Sequence, residues 1–301
     1  MTIAVLGAGM VGRAIALDLA NEYKVTCFDL NAFNLEKVKS RNDTIEIVAA
    51  DLSQFTEYKT WFSTFDLVVT AVPGFMGYKT LEAVINVEKN VVDISFFPED
   101  ALGLDELAKE KNITAITDCG VAPGMSNFIL GRYNEEMNVT SFECYVGGLP
   151  KVRRPPFEYK APFSPVDVIQ EYIRPARLVE NGSIVTKPAL SDREIMDFEK
   201  AGKLEAFNTD GLRSLIYTMN HIPDMKEKTL RYEGHIDLII ALQQAGFFDT
   251  APIRVNDVDI TPLEFTSKVL LNEWKLEEEE LEFTVMKVIV KGDEKTVEYN
   301  L

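Results

Sequence analysis

Cysteine and histidine are scarce in this 301-residue chain, which has three cysteines (Cys27, Cys119, Cys144) and two histidines (His221, His235). Three cysteines at those spacings build neither a disulfide framework nor a metal-ligand pattern, and two isolated histidines add no support for a metal site, so no metal is expected. No apolar run is long enough to cross a bilayer. The apolar N-terminus lacks the basic stretch of a secretory leader and runs straight into glycines. Basic residues are outnumbered, 31 Lys and Arg against 48 Asp and Glu, for a formal net charge of −17. That balance argues against nucleic acid and anionic membrane surfaces as partners. An anionic substrate would need local basic groups to draw it in, whereas an amine-bearing one would not. Together these features lead us to expect a cytoplasmic protein. There is no internal repeat, and the one biased tract, Glu277 to Glu280, reads as the solvated end of a helix or a turn.

What is present starts with the first thirty residues. An apolar run, Ile3 to Leu6, enters Gly7-Ala-Gly-Met-Val-Gly12; a helical pattern follows (Ala14, Ile15, Leu17, Leu19, Ala20), then a second apolar run ending at Asp29. This is the order of a dinucleotide-binding βαβ unit. Gly7 makes the tight turn, Gly9 lets a pyrophosphate approach the backbone, and Gly12 lets the helix lie close on the sheet. The helix N-terminus then offers free N–H groups to phosphate. Asp29 falls 22 positions after Gly7, where a carboxylate accepts from ribose hydroxyls and repels a 2′-phosphate. No Arg follows at once, so NAD is preferred over NADP.

Further strands are expected at Ile45–Ala50, Asp66–Ala71, Val91–Ser95 and Thr114–Thr117, separated by helical stretches, which implies a mostly parallel, doubly wound sheet. Asp51, after the third strand, is placed either beside the adenine ring or as a helix N-cap. Val72-Pro-Gly74 ends the fourth strand where backbone should face the cofactor. Beyond Asn127 the rhythm changes. Ser141–Gly148 alternates like a strand, a proline-rich loop follows (Pro150, Pro155, Pro156, Pro162, Pro165), and strands are expected at Ser183–Lys187, Leu204–Asn208, Lys228–Tyr232, Leu281–Val290 and Lys295–Asn300. Helices are expected at Pro165–Tyr172, Asp210–Thr218, His235–Ala245 and Thr261–Asn272. The fold class is thus α/β: an N-terminal Rossmann domain over 1–125 that binds NAD, and an α+β domain with a mixed or antiparallel sheet over 126–301 for substrate and oligomerisation.

Several motifs together carry a resemblance: Gly7–Gly12, Val72-Pro-Gly-Phe-Met-Gly77, Val92-Asp-Ile-Ser-Phe96 and Asp118-Cys-Gly-Val-Ala-Pro-Gly-Met-Ser-Asn127, followed by Tyr145–Pro150, Ser164-Pro165, Arg174-Pro-Ala-Arg177, Thr209–Ser214 and Thr229–His235. The chain resembles the saccharopine dehydrogenase-like oxidoreductases over nearly its whole length, and within them the lysine 6-dehydrogenase branch. Saccharopine-forming reductases tend to carry an acidic residue where Ala122 stands, which favours that branch. Its members usually continue past the last strand pair, so a chain ending at Leu301 is either a short member or C-terminally incomplete.

The resemblance implies oxidative deamination of the L-lysine ε-amine by NAD, with an opine-type reductase as the alternative and a catalytically silent NAD-binding protein as a second. Homo-oligomers, most simply dimers, are implied too. The cofactor would be held by Gly7, Gly9, Met10, Val11, Gly12, Asp29, Asp51, Val72, Pro73, Gly74, Asp93 and Ser95. Asp118, ending the strand that leads out of the first domain and so expected to face a cleft between the domains, is the candidate acid/base, with helix capping as its alternative. Cys119 beside it reads as a small buried residue rather than a nucleophile. Arg213 is the candidate carboxylate anchor, or else a surface helix arginine. Tyr232 and Asn127 complete the substrate set. His235 is either a proton shuttle near neutral pH or a structural helix-start residue, and His221 reads as a satisfied loop histidine.

Overall fold

The computed structural model describes residues 1–161, 165–277 and 280–301. Pro162, Ser164 of the Ser164-Pro165 pair, and Glu278 and Glu279 of the glutamate tract lie outside the described residues. The chain divides into two compact units, Met1–Met125 and Ser126–Leu301.

The first unit alternates strand and helix: β1 (Thr2–Leu6), α1 (Met10–Leu19), β2 (Lys24–Asp29), α2 (Ala32–Arg41), β3 (Glu46–Ala49), α3 (Tyr58–Phe62), β4 (Leu67–Thr70), α4 (Gly74–Asn86), β5 (Asn90–Asp93), α5 (Asp105–Glu110) and β6 (Ala115–Ile116). The strands form one parallel sheet in the order β3-β2-β1-β4-β5-β6. That order reverses between β1 and β4, and such a switch point opens a crevice at the carboxyl ends of the strands. β1 and β4 are continuous apolar runs because helices cover both of their faces. Ala4, Leu6, Val68 and Val72 pack on one side with Phe62, Tyr58, Leu81 and Phe97, and Ile3, Val5 and Val69 on the other with Ala16, Leu35 and Val38. Phe62 is the centre of an aromatic cluster, edge-on to Tyr58 at 4.8 Å and to Phe28 at 5.2 Å.

The second unit comprises α6 (Met125–Glu136), β7 (Val139–Pro150), α7 (Pro165–Ile173), β8 (Ala176–Glu180), β9 (Ser183–Lys187), β10 (Glu194–Phe198), β11 (Gly202–Asn208), α8 (Leu215–Thr218), β12 (Asp224–Tyr232), α9 (His235–Gln244), β13 (Ile253–Val255), β14 (Val258–Ile260), α10 (Pro262–Trp274), β15 (Glu282–Gly292) and β16 (Thr296–Asn300). Among the described residues eight strands form a mixed sheet, β10-β11-β12-β7-β15-β16, with β8 on β12 and β9 on β8; only β12 and β7 run parallel. The α/β class with a parallel first sheet and a mixed second one is as expected.

Three differences from the sequence reading have local causes. The helix expected from Asp210 starts only at Leu215. Arg213 takes a left-handed φ of 46°, and the buried Glu227 side chain lies against Gly211, so the segment is bent around a buried carboxylate instead of coiled. β8 was not anticipated; it pairs with β9 through Asn181-Gly182, both at positive φ. The β13–β14 hairpin was not anticipated either, and turns on Asn256-Asp257, again both at positive φ. Both are two-residue turns whose twist matches the flanking strands.

Phe62→Ala empties the middle of the aromatic cluster. Chemical denaturation is expected to show the first unit destabilised by about 3–5 kcal/mol.

Candidate functional site

The first unit presents an anion site built from backbone. Gly7 has a φ of +103°, and a Cβ there would sit 2.4 Å from the Ala71 carbonyl oxygen. A Cβ at Gly12 would lie 2.0 Å from the Gly7 carbonyl oxygen, so α1 can approach the turn only with glycine at that position. Gly9 is the N-cap of α1, carries no side-chain cap, and has open space where its Cβ would be. Uncapped N–H groups at a helix start, with room above them, suit a pyrophosphate. Asp29 closes the other side. Its Oδ2 accepts from the Ala8 N–H at 2.6 Å and its Oδ1 from the Asn31 N–H at 2.7 Å, so the carboxylate is fixed at the end of β2. Ala71, directly before Val72-Pro-Gly74, reaches β1 through its N–H to the Leu6 oxygen at 2.8 Å. Gly7 to Gly12, Asp29 and Val72 to Gly74 therefore come together, and the residues present fit a dinucleotide.

Three other expected cofactor residues are placed differently. Asp51 spends Oδ1 on the Ser53 N–H and hydroxyl and Oδ2 on the Gln54 amide. It caps its own turn, which holds its carboxyl below the usual range. Asp93 is fully buried and accepts from the Thr70 hydroxyl, joining the ends of β4 and β5. Ser95 is buried under α4 at Gly77. Asp93 and Ser95 are thus both enclosed at the ends of the strands.

Asp118 lies just past β6 at a φ of 57°, and is buried. Cys119 next to it has its thiol pushed up to about 11 by burial, with Asp93 and Asp118 adding to the shift. A thiol so placed is not a thiolate nucleophile at neutral pH.

Among the described residues the second unit gathers basic side chains in two places, each around one buried arginine, Arg213 or Arg231. In the first, Arg177 grips Asp210 in a bidentate pair, Nε to Oδ1 at 2.8 Å and Nη2 to Oδ2 at 2.9 Å. Burial lowers the Arg174 pKa; the nearby charges of Arg213 and Arg177 lower it further, while Asp210 and Asp167 oppose the shift. Arg213 is 6% exposed, which removes the surface-helix alternative. Three arginines on two segments distant in sequence thus share one region with Asp210 and Asp167. Arg174 and Arg177 were visible as a basic pair flanking a proline, a local excess in an acidic chain, yet had no assigned role.

The second group is centred on Arg231, 2% exposed. Its Nε donates to the Tyr172 hydroxyl at 2.9 Å, one Nη to the Leu230 carbonyl and the other to Glu171 at 2.9 Å, and the guanidinium stacks 4.3 Å from the Tyr159 ring centroid. Burial works against its charge, but Tyr159, Tyr172 and Glu171 outweigh that and hold the proton on. His235 continues the chain. Its Nδ1 lies 2.9 Å from the Phe157 carbonyl oxygen, which can only accept, so Nδ1 carries the hydrogen and Nε2 accepts from the Tyr172 hydroxyl at 2.9 Å. Burial and the Arg231 charge push the imidazole down to about 3. His235 therefore does not shuttle protons near neutral pH; it is a neutral structural link at the start of α9. Tyr232 also departs from expectation, because its hydroxyl donates to the Pro150 carbonyl at 3.0 Å in a buried position and ties β12 to the end of β7. Asn127 stands in the first turn of α6, its Oδ1 accepting from Ser126. His221 Nε2 meets Asn134 Oδ1 at 2.7 Å.

Among the described residues no group of His, Cys, Asp and Glu could hold a metal ion, and no helix is long and apolar enough to cross a membrane. A glycine turn opening a parallel sheet, followed by a mixed-sheet unit, defines a dinucleotide-binding protein of the two-part dehydrogenase type. Residues 3–116 match the saccharopine dehydrogenase NADP binding domain and residues 120–301 the saccharopine dehydrogenase C-terminal domain. The chain belongs to the saccharopine dehydrogenase family.

Similarity to characterised relatives is distant. The chain is 26% identical to the alpha-aminoadipic semialdehyde synthase of Arabidopsis thaliana over 73% of its own length and 22% of that protein's. It is 23% identical to the saccharopine dehydrogenase [NADP(+), L-glutamate-forming] of Pyricularia oryzae, over 82% of its own length and 58% of the other's. A solved saccharopine dehydrogenase (L-Glu forming) from Saccharomyces cerevisiae shares the fold with a TM-score of 0.71 at 17% identity, over 99% of this chain and 85% of that one.

The His235 pKa, about 3 in the folded protein against about 6.5 unfolded, has a definite linkage sign. The unfolded state binds the extra proton first, so this contribution to stability is complete above about pH 6.5 and is lost as pH falls towards 3, by roughly 1.4 kcal/mol per unit. Denaturation of wild type and His235→Gln between pH 7 and 4 is expected to show a shallower decline in the variant.

Proposed function

We propose that the chain is an NAD-dependent dehydrogenase that oxidatively deaminates the ε-amine of L-lysine. Ammonia leaves as the product, 2-aminoadipate 6-semialdehyde, forms, and the semialdehyde then cyclises to piperideine-6-carboxylate with loss of water. The observation that carries this reading is the charge of the first basic group. Arg174, Arg177 and Arg213, the last of them buried, gather in one region with Asp167 and Asp210 in a chain whose formal net charge is −17. A guanidinium of this cluster suits the single α-carboxylate of lysine, whereas saccharopine brings three carboxylates. Arg213, with Arg174 beside it, would orient that carboxylate.

The lysine ammonium must lose a proton before its carbon can give up hydride, and Asp118 is the carboxylate we assign to take it. A bound nicotinamide would supply the hydride acceptor for the ε-carbon. Asp118 releases that first proton to solvent, accepts a proton from the water that adds to the iminium, and passes it to the amine nitrogen, so that collapse of the adduct expels ammonia. The uncapped α1 N-terminus would hold the pyrophosphate and Asp29 the adenosine ribose. A fixed carboxylate at Asp29 disfavours a 2′-phosphate, so NAD is the assigned cofactor. A saccharopine-cleaving activity is the second reading, favoured by the names of the curated relatives; Ala122, in place of an acidic residue, weighs against it.

NADH formation followed at 340 nm is expected with L-lysine and NAD at alkaline pH, and not with saccharopine. A rate with saccharopine alone transfers the assignment to the second reading, and silence with both removes the proposed activity. Asp118→Asn is expected to lower kcat by about 10²–10⁴-fold. Arg213→Met is expected to raise the KM for lysine at least about 10-fold with a smaller change in kcat.

Asp29→Ser tests the cofactor assignment. It is expected to shift the kcat/KM ratio towards NADP by about 10-fold or more.

A further inference from the structure

Helix α7 has two faces of opposite character. Val168, Ile169 and Tyr172 are buried in the apolar core of the second unit. Asp167, Glu171 and Arg174 stand at i, i+4 and i+7, a single stripe of the helix. The Arg174 N–H still donates to the Gln170 carbonyl at 3.0 Å, so the helical turn reaches it. A charged stripe on a helix ordinarily faces water. Here Asp167 is 7% exposed and the Glu171 side chain 15%.

Glu171 links the two basic clusters of the unit. Its Oε2 accepts from Arg231 Nη2 at 2.9 Å, whereas Oε1 takes no hydrogen bond among the described residues. The Arg174 charge acts on Glu171, and the Arg213 charge acts on Arg174. Glu171 therefore borders the region assigned to the substrate carboxylate. Burial raises its pKa; Arg231 and Arg174 oppose the rise, and Asp167 adds to it. Even with Arg231 beside it, this carboxylate is short of positive charge.

The head of an α-amino acid is a zwitterion whose ammonium and carboxylate are two bonds apart. Its receptor needs an anion next to a cation, and a pair at i, i+3 on one helix face supplies that. The other two carboxylates of the region do not. Asp210 spends both oxygens on Arg177. Asp167 lies about 10 Å along the helix from Arg174, against about 4.5 Å for Glu171.

We propose that Glu171 receives the α-ammonium of an α-amino acid through Oε1 while Arg174 and Arg213 hold its carboxylate. The inference rests on the carboxylate site proposed above. It adds the group that tells an α-amino acid from a plain carboxylic acid.

Titration calorimetry on the full chain with saturating NADH tests this, with L-norleucine and hexanoate as probes. The two differ only in the α-ammonium and lack an ε-amine, so binding is read without turnover. Wild type is expected to bind norleucine at least about 10-fold more tightly, the worth of one charge-assisted hydrogen bond. Glu171→Gln, with unchanged near-ultraviolet circular dichroism, is expected to bind the two within about 3-fold, its hexanoate constant unmoved. Glu171→Asp keeps a carboxylate opposite Arg231 but draws it back by one methylene, and is expected to show the same selective loss. It decides alone if the glutamine variant does not fold. If L-lysine gives no NADH while this selectivity holds, the lysine reading fails and the inference stands. Equal binding of both probes by wild type, no binding of norleucine, a preference retained in the variants, or equal weakening of both probes overturns it, whatever the activity with lysine.

Discussion

Arg231 sets the strictest constraint on the second unit. A guanidinium removed from water costs several kcal/mol unless its donors are all used and its charge is opposed. Tyr172 and Glu171 from α7, the Leu230 carbonyl on β12 and the Tyr159 ring do both. The relay then runs through Tyr172 to His235 and on to the Phe157 carbonyl. One buried charge thereby fixes where α7, α9 and the 157–159 segment lie on the sheet, with Trp274 of α10 packed edge-on to Tyr159 and Tyr172. Removing the charge's partners would leave it buried and unopposed, so these residue types are needed together.

The first unit meets a steric constraint where the second meets an electrostatic one. Its glycine turn works because backbone approaches backbone with no side chain between, at Gly7 against Ala71 and at Gly12 against Gly7. That closeness leaves the helix start uncapped and open, which is the condition for holding a phosphate without a charged side chain. In a chain of net charge −17, an anion site made of N–H groups and a helix dipole adds no cation to the surface. The substrate region we assign does the opposite, concentrating three arginines among carboxylates that offset their charge within the cluster.

Long, strongly patterned features were legible from the sequence. The parallel first sheet follows from apolar runs separated by helical stretches, and the glycine turn with Asp29 from a spacing that each step of the geometry requires. β9, β11, β12, β15 and β16 follow from alternation and β-branched content. Less legible were features whose signal is two residues long. Asn181-Gly182 marked a hairpin and would have revealed β8; Asn256-Asp257 marked another and would have revealed β13 and β14. Both dipeptides favour the left-handed conformation that a two-residue turn demands.

Residue type and spacing along the chain determined the fold class, the dinucleotide turn, and the family to which the chain belongs. They could not determine how a side chain is surrounded, because that depends on segments distant in sequence. His235 reads as a titratable group until Arg231, Tyr172 and the Phe157 carbonyl are placed around it and hold it neutral. Asp93 reads as an open strand-end carboxylate until Thr70 and burial enclose it. Arg213 reads as a helix residue until Glu227 bends its turn inward and sets it in the region of Arg174 and Arg177. Charge state and accessibility are properties of an environment, and only the tertiary structure supplies one.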